Sequence, residues 1–339
     1  MNSWDNTRKS FVSWLSESDL REEFSKKIIF EDLSFWWLTD LMDKDNVNQT
    51  IWYENLNKKL NLDSRKNYSK KINYYLLFFK LIKSFLFKIF SIIFIKIFFY
   101  ESKSNLSQLK KRDCFFALYT NCVEYEGKFI DRQYGLTSIK KSENKSYVIE
   151  IPENLFLIKN FFKIKKNLKK IPVEFIISNK KLKLIDILKV YFSCLILFFK
   201  MMKVLKKKNY FIINNIDCQD ILKCRLINSF FGSIQQQLLR GIALQNSLNQ
   251  VSSKNFINCF DFHPQARAFY YFSKKSKIRN IININHANYS KNNIFFNYNK
   301  KDFSKIYSSY YSPKPDIFFS QGERYYNVLK NTFEVEKIF

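Results

Sequence analysis

Two histidines are the residues of this chain best suited to acid–base chemistry, and each follows a predicted β-strand. Asp261 and His263 come after the apolar run NFINCF, and His286 closes the run IRNIININ. An imidazole suits a general base because its unperturbed pKa, about 6.5, lies near neutral pH. We therefore take His286, Asp261 and His263 as candidate catalytic residues. The simpler interpretation is that His286 is a loop residue that only hydrogen-bonds its neighbours.

Two further segments carry side chains that could bind a substrate. In GKFIDRQYGLTSI, Asp131 and Arg132 occupy a predicted turn at a sheet edge, although the pair could also be a local salt-bridged turn. In SFWWLTDLMDKDN, a predicted helix would place Trp36 and Lys44 on one face, eight residues apart. Adjacent tryptophans are also typical of a packing anchor. The candidate substrate-binding residues are Asp131, Arg132, Trp36 and Lys44.

The elements that must position these residues alternate between short apolar strands and helices. Strands are predicted at 113–121, 147–154, 173–178, 209–216, 255–262, 278–285 and 315–322. Helices are predicted at 34–46, 73–100, 182–206, 217–249 and 264–276 and after Gly322. This alternation predicts an α/β fold with a mostly parallel sheet and helices on both faces. Ligands of such sheets bind beyond the carboxyl ends of strands, where both histidines are expected.

The first 60 residues are predicted to be helical, and the alternation starts only at about residue 113. SESDLREEF, for example, offers Ser16 or Ser18 as a helix cap ahead of acidic residues. We therefore expect two units, 1–110 as a helical N-terminal region with an amphipathic apolar helix and 111–339 as the α/β domain.

Composition excludes several classes of site. There are 57 Lys and Arg against 30 Asp and Glu, a formal net charge of +27, which attracts phosphates, anionic lipids, nucleotide sugars or nucleic acid. Five glycines form no GxGxxG, P-loop or GxSxG motif. Six cysteines without a CxxC pair and two histidines form no zinc pattern, so no metal site is predicted. The basic run KNFFKIKKNLKK is typical of a solvated amphipathic face, and no motif supports binding of nucleic acid.

Two apolar helices raise the question of a membrane. A span needs about 20 mostly apolar residues, whereas the helix at 73–100 is interrupted by Lys80, Lys83, Lys88 and Lys96. This helix either lies on an anionic membrane surface or packs inside the protein. The run at 190–199 favours a buried helix. Without a signal-peptide pattern, and with scattered cysteines, we expect a cytoplasmic protein that is peripheral on the inner membrane face if its apolar helix binds lipid.

Several segments resemble a known family. SFWWLTDLMDK, FIDRQYGLTSI, FDFHPQARAFYYFSKK, and NINHANYS with PKPDIFFSQGERYYNVL are similar, in this order, to segments of bacterial surface carbohydrate biosynthesis proteins. These are GT-B-like proteins related to the enzymes that build lipopolysaccharide and capsule. Members typically show a YENQPWE-like segment where this chain has Phe262–Arg267, which leaves Asp261 or His263 in place of a glutamate. They show QH before a small residue where this chain has Asn285, His286 and Ala287.

The resemblance implies a Rossmann-like domain over 111–339, the acceptor-side domain of a GT-B glycosyltransferase, with the C-terminal donor domain absent from this chain or supplied as a separate half. It implies that His286 contacts the donor phosphate or the acceptor, that Asp261 or His263 is the base, and that Asp131 and Arg132 shape the acceptor pocket. It implies a nucleotide sugar as donor, a sugar or lipid-linked acceptor, and no cofactor. The alternative is a non-catalytic membrane-surface scaffold or binding subunit of a polysaccharide assembly complex.

Overall fold

The computed structural model describes residues 3–42, 51–62, 64–68, 72–99, 101, 111–140, 144–155, 158–251, 253–259, 263–285, 302–303, 311–320, 322–332 and 337–339. Three predicted site residues, Lys44, Asp261 and His286, lie outside these ranges.

The N-terminal region is helical, as predicted, but it contains a short hairpin. Its elements are α1 (Ser3–Glu17), α2 (Asp19–Ser25), β1 (Ile28–Phe30), β2 (Leu33–Ser34), α3 (Ile51–Asn61) and α4 (Tyr74–Phe98). Ser18 caps α2, because its side chain accepts a hydrogen bond from the Arg21 amide at 3.2 Å. This confirms one of the two predicted helix caps.

The prediction of an α-helix over 34–46 is wrong. Within the described part of this range, 34–42, only Phe35–Leu38 is helical, as a short 3₁₀ turn, and Thr39 is already extended. The side chains of all four residues in this turn are fully buried. A block of four consecutive large apolar residues has no polar face, so a tight turn with packing on all sides buries it better than a surface α-helix.

The rest of the chain builds a seven-stranded parallel sheet. Its further elements are β3 (Lys111–Leu118), β4 (Cys122–Tyr125), β5 (Lys128–Asp131), β6 (Lys145–Glu150), α5 (Ile158–Leu168), β7 (Glu174–Ile177), α6 (Leu184–Leu205), β8 (Ile212–Ile213), β9 (Ile216–Asp217), α7 (Gln219–Ser229), α8 (Ser233–Leu248), β10 (Ser253–Asn258), α9 (Pro264–Lys274), β11 (Asn280–Ile284), β12 (Ile317–Phe319), α10 (Glu323–Thr332) and β13 (Lys337–Ile338). The strand order is β7-β6-β3-β10-β11-β12-β13, and every neighbouring pair is parallel. The α/β prediction with a parallel sheet is confirmed.

Six of the seven predicted strands join this sheet, and one does not. The run at 209–216 forms the small antiparallel hairpin β8–β9, with Asn214 and Asn215 at φ of 50° and 64°. Two adjacent asparagines tolerate positive φ and favour a two-residue hairpin, which a reading of apolar content alone overlooks. The predicted helix over 217–249 is also divided, into α7 and α8, around Gly232.

Helices cover both faces of the sheet. On one face, side chains from α8, α9 and α10 pack on the strands, as Leu244, Phe269 and Leu329 show. On the other face the cover comes from α5, the C-terminal end of α4 and the β4–β5 hairpin. Burial on both faces explains why the apolar residues of β3 and β6 are consecutive, as CFFAL and YVI, and do not alternate with polar ones.

A separate helical core joins the N-terminal region to the middle of the chain. It contains side chains of α1–α4 together with those of α6, α7, α8 and α9. Asp40 adds a polar link: Ser233 Oγ donates to its carboxylate, and its amide donates to Ser229 Oγ at 2.8 Å. The helical unit is therefore built from the N-terminal region together with segments of the chain from Leu182 onward.

Helices α8 and α9 approach closely at Gly241. A Cβ atom at this position would lie 2.2 Å from Phe272 Cδ2, and the Phe272 ring is itself fully buried against Phe30. Gly241→Ala should therefore lower the free energy of unfolding by about 1–2 kcal/mol, because overpacking exceeds the gain in helix propensity.

Urea unfolding is the measurement for this prediction. Phe272→Leu in the Gly241→Ala background should restore part of the loss, and Gln236→Ala on the exposed side of α8 should change stability by at most about 0.5 kcal/mol. An unchanged or raised free energy of unfolding of Gly241→Ala would contradict the close approach of α8 and α9.

Candidate functional site

The direction in which the chain adds strands to the sheet reverses between β3 and β10. From β3 the chain proceeds to β6 and β7 at one edge of the sheet, returns to β10 beside β3, and continues through β11 and β12 to β13. The element that follows β3, the β4–β5 hairpin, and the element that follows β10, helix α9, pack on opposite faces of the sheet. Such a reversal opens a crevice beyond the carboxyl ends of the strands, which is where ligands of open α/β sheets bind.

Arg240 of α8 links the two halves of the sheet at this reversal. Its Nε donates to the Glu150 carboxylate, with N–O distances of 2.7 and 2.8 Å to the two oxygens, and its Nη1 donates to Gln265 Oε1. Glu150 is the last residue of β6 on one side of the reversal, and Gln265 lies in the first turn of α9 on the other side. The guanidinium also lies over the Phe269 ring, 5.7 Å from its centroid. A largely buried cation thus occupies the reversal point.

His263 stands at the entrance to α9, as the sequence predicted. It is the N-cap residue in extended conformation, its carbonyl accepts the Arg267 amide at 3.0 Å, and Pro264 occupies the first turn. The His263 side chain is half-buried. The positive end of the α9 dipole and the Arg240 guanidinium therefore lie at the same edge of the sheet as this imidazole.

Asp131 lies beneath the same edge, on the opposite face of the sheet. It ends β5, is fully buried, and its Oδ1 accepts the Gln133 amide at 2.8 Å. Within the described residues its Oδ2 has no hydrogen-bond partner. Burial raises the pKa of the Asp131 carboxyl from 3.8 to about 6, although the Gln133 amide and the Arg132 charge oppose the rise.

Two buried tyrosines surround Asp131 and tie the hairpin to the sheet. The hydroxyl of Tyr134 donates to the Phe116 carbonyl of β3 at 2.8 Å and lies 3.4 Å from the Ile257 carbonyl of β10. Tyr147 shares a hydrogen bond with Ser138, and burial raises the pKa of its hydroxyl to about 12. These hydroxyls remain protonated, so they position the loop at the reversal point.

The structure separates the other predicted substrate-binding residues. Arg132 is exposed, and its amide donates to the Asn121 carbonyl at 3.1 Å, whereas the neighbouring Asp131 carboxyl is fully buried. Trp36 is fully buried in the helical core, where it packs as an anchor. Within the described ranges there is also no group of three or more His, Cys, Asp or Glu that could hold a metal ion.

Comparisons with known proteins identify no relative. The chain matches no protein-family model, no curated protein and no solved structure. The structure therefore defines the class of the fold, a parallel α/β sheet with a helical N-terminal region. The resemblance to surface carbohydrate biosynthesis proteins remains a prediction.

Sequence reasoning missed Glu150 and Arg240, the central pair of the site. Both carried a signal: Glu150 closes the apolar run YVIE, and Arg240 interrupts the apolar side of SIQQQLLRGIALQ. A single charge on a buried face needs a partner, since an unpaired buried charge is costly. The partner lies 90 residues away in the chain, so sequence alone does not pair them.

The buried pair predicts an asymmetric mutational response. Arg240→Met should lower the free energy of unfolding by about 3 kcal/mol, because it leaves the Glu150 carboxylate buried without its cation. Urea unfolding of Glu150→Leu/Arg240→Met should recover more than half of that loss. Lys26→Met, which breaks the exposed pair with Glu22, is the control and should cost at most about 1 kcal/mol. Equal costs at the two sites would contradict the burial of the Arg240 pair.

Asp131 predicts a pH dependence of stability. Between its ordinary pKa of 3.8 and the folded value of about 6, the folded carboxyl holds a proton that the unfolded one releases. The free energy of unfolding therefore falls as pH rises through this window. Asp131→Asn removes this titration. The free energy of unfolding of the variant minus that of the wild type should therefore rise by about 2 kcal/mol between about pH 4 and pH 7.5.

Chemical unfolding at several pH values tests this. Glu124→Gln on neighbouring β4 is the control, because the ion pair with Lys170 lowers the pKa of Glu124. The ionised Glu124 carboxylate stabilises the fold at neutral pH, and this stabilisation is lost as pH falls. Glu124→Gln should therefore show no gain in the free energy of unfolding at neutral pH. A relative stability of Asp131→Asn that does not vary with pH would contradict the raised pKa.

Proposed function

We propose that this chain is a glycosyltransferase-like protein of surface polysaccharide biosynthesis, which binds its acceptor at the carboxyl edge of the sheet. The observation that carries the proposal is the buried Arg240 bridge across the reversal point beside His263. A largely buried cation, a half-buried imidazole and a helix N-terminus at one sheet edge are the groups that a phosphate-releasing transfer uses.

The strand order supports a Rossmann-like assignment. Numbered by chain order within the sheet, the strands run 3-2-1-4-5-6-7, and the first six have the order of doubly wound nucleotide-binding folds. In the proposed GT-B arrangement this domain, over 111–339, would be the acceptor-side half. A nucleotide-sugar half would face the same edge from a separate domain or a separate chain.

The chemistry of transfer assigns roles to the edge residues. The acceptor hydroxyl must lose a proton as it attacks the sugar carbon, and His263 can accept that proton at neutral pH. The departing nucleotide phosphate gains negative charge, which Arg240 and the α9 N-terminus can stabilise. Glu150 orients Arg240 and offsets part of its charge. Asp261 and His286, which flank the same edge in sequence, remain base and phosphate candidates.

A transfer assay tests the proposal. The protein, purified with the product of any neighbouring reading frame that encodes a donor half, is given UDP-, GDP- and CDP-sugars with soluble oligosaccharides or polyprenyl-linked sugars, and nucleotide release is measured. His263→Asn should reduce the rate at least about 100-fold, the contribution of a general base, and Asn is a residue that helix N-caps favour. Asp261→Asn and His286→Asn test the remaining candidates in the same way.

A cation at the other edge of the sheet provides the matched control. Arg279 is exposed at the amino end of β11, so Arg279→Ala should keep the wild-type rate. If the three edge variants also keep that rate, the carboxyl edge is not the catalytic site and the proposal is wrong.

A second candidate function is a non-catalytic binding subunit at a membrane surface. It is favoured by one specific observation, the apolar side chains that α4 and α6 leave exposed. In that case nucleotide release would be absent, while membrane binding would persist in every edge variant.

A further inference from the structure

Helix α4 is apolar on two opposite sides. Its inner side packs into the protein through Leu77, Leu81, Ile92 and Ile95. Its outer side exposes a second apolar stripe at spacings of three and four residues: Phe79, Ile82, Leu86, Phe90, Ile93 and Ile97. A helix that only completes a core needs one such stripe, so the outer stripe requires a separate explanation.

Helix α6 repeats the pattern, against the prediction that its run at 190–199 is simply buried. The inner side of α6 is in the helical core, whereas its outer side exposes Ile185, Leu188, Phe192, Ile196 and Phe199. The outer side chains of the two helices are between 42% and 67% exposed. We call these two stripes together the α4–α6 face.

The two helices lie side by side and antiparallel. The Ser84 hydroxyl of α4 lies 2.9 Å from the Tyr191 hydroxyl of α6, and Phe78 of α4 packs edge-on against Phe198 of α6. Residue numbers therefore decrease along α4 where they increase along α6. The helices are about 36 and 32 Å long. Their outer side chains together expose roughly 1,000 Å² of apolar surface, about twice the largest patch of an ordinary monomer.

The charges around the α4–α6 face have one sign. Lysines flank the stripes at exposed positions: Lys80, Lys83 and Lys96 on α4, and Lys189, Lys200 and Lys203 on α6. The only acidic residue in either helix is Asp186, in the first turn of α6, where its carboxylate accepts the Lys183 amide. Lys88 differs, because it is buried and paired with Glu153.

We infer that the α4–α6 face is a membrane-docking surface that lies flat in the interface of an anionic bilayer. Apolar side chains enter the acyl boundary by about 5–10 Å, while the flanking lysines reach the phosphates of the headgroups. No described helix is long and apolar enough to cross a membrane. The inference goes beyond the proposed transfer, because it holds whether or not the carboxyl edge catalyses it, and it names the surface and the lipid charge that membrane binding would use.

Charge complementarity selects the bilayer over a second copy of this chain. Two α4–α6 faces pressed together would bring their lysines into opposition, and the two helices carry almost no acidic residues to compensate. An anionic bilayer supplies both requirements of the face, an apolar interior and a layer of phosphates at its border.

Vesicle flotation of the full chain tests the inference. Vesicles of phosphatidylcholine are compared with vesicles that contain about 30% phosphatidylglycerol. Three variants are used: Phe90→Glu/Phe192→Glu on the α4–α6 face, Lys80→Gln/Lys83→Gln/Lys96→Gln beside it, and the control Ile51→Glu, an exposed apolar residue of α3 outside the face.

The wild type and Ile51→Glu should bind the anionic vesicles at least about tenfold more strongly than the neutral ones, and added salt should weaken this binding. The Phe90→Glu/Phe192→Glu variant should lose binding to both kinds of vesicle by at least about tenfold. The lysine variant should lose only the preference for anionic lipid. Circular dichroism and thermal unfolding confirm that the variants are folded.

Three results would overturn the inference. One is wild-type protein that fails to float with anionic vesicles. Another is a Phe90→Glu/Phe192→Glu variant that binds as the wild type does. The third is a wild-type protein that does not bind vesicles but sediments as a dimer, together with a Phe90→Glu/Phe192→Glu variant that sediments as a monomer. That result would assign the face to a second copy. The His263→Asn variant should keep vesicle binding, and the face variant should keep any transfer to a soluble acceptor, so failure here is distinct from failure of the proposed function.

Discussion

Helix α8 packs on two cores at once, and the rest of the structure depends on this double burial. Its first half lies in the helical core with the N-terminal helices, and its end packs on the sheet. Where α8 faces these two cores, a glycine, Gly241, lies against α9, and the charge of Arg240 is paired with Glu150. The helical region and the sheet therefore meet along one rigid element.

The same burial concentrates polar groups at the reversal of the sheet. Parallel strands leave their carboxyl ends on one edge, and helices on both faces keep water away from most of that edge. Glu150 and Arg240 offset each other on one face, while the Asp131 carboxyl is desolvated on the other. Proteins also use pairing and desolvation to adjust the pKa values of catalytic groups, so the groups at this edge are the candidates for catalysis.

The carboxyl edge of the sheet and the α4–α6 face have different physical origins. The carboxyl edge arises from topology, because strand order alone places loops from both halves of the sheet beside each other. The outer stripes of α4 and α6 arise from composition, because these helices have more apolar residues than their inner sides can bury. If both inferences hold, a site for a sugar acceptor and a surface for lipid occur in one chain, as a lipid-linked acceptor would require.

The sequence by itself determined the local elements. Alternating apolar runs located six of the strands in the sheet, the helices α4, α6, α9 and α10, and the placement of His263 after β10, since side-chain periodicity is a property of neighbouring residues. Only the tertiary structure decided that Trp36 is buried, that 209–216 turns back on itself outside the sheet, and that β13 extends it. It also decided that Glu150 meets Arg240 and that one side of α6 faces outward. Those outcomes depend on contacts between residues distant in the chain, and a local pattern contains no information about which distant surface will cover it.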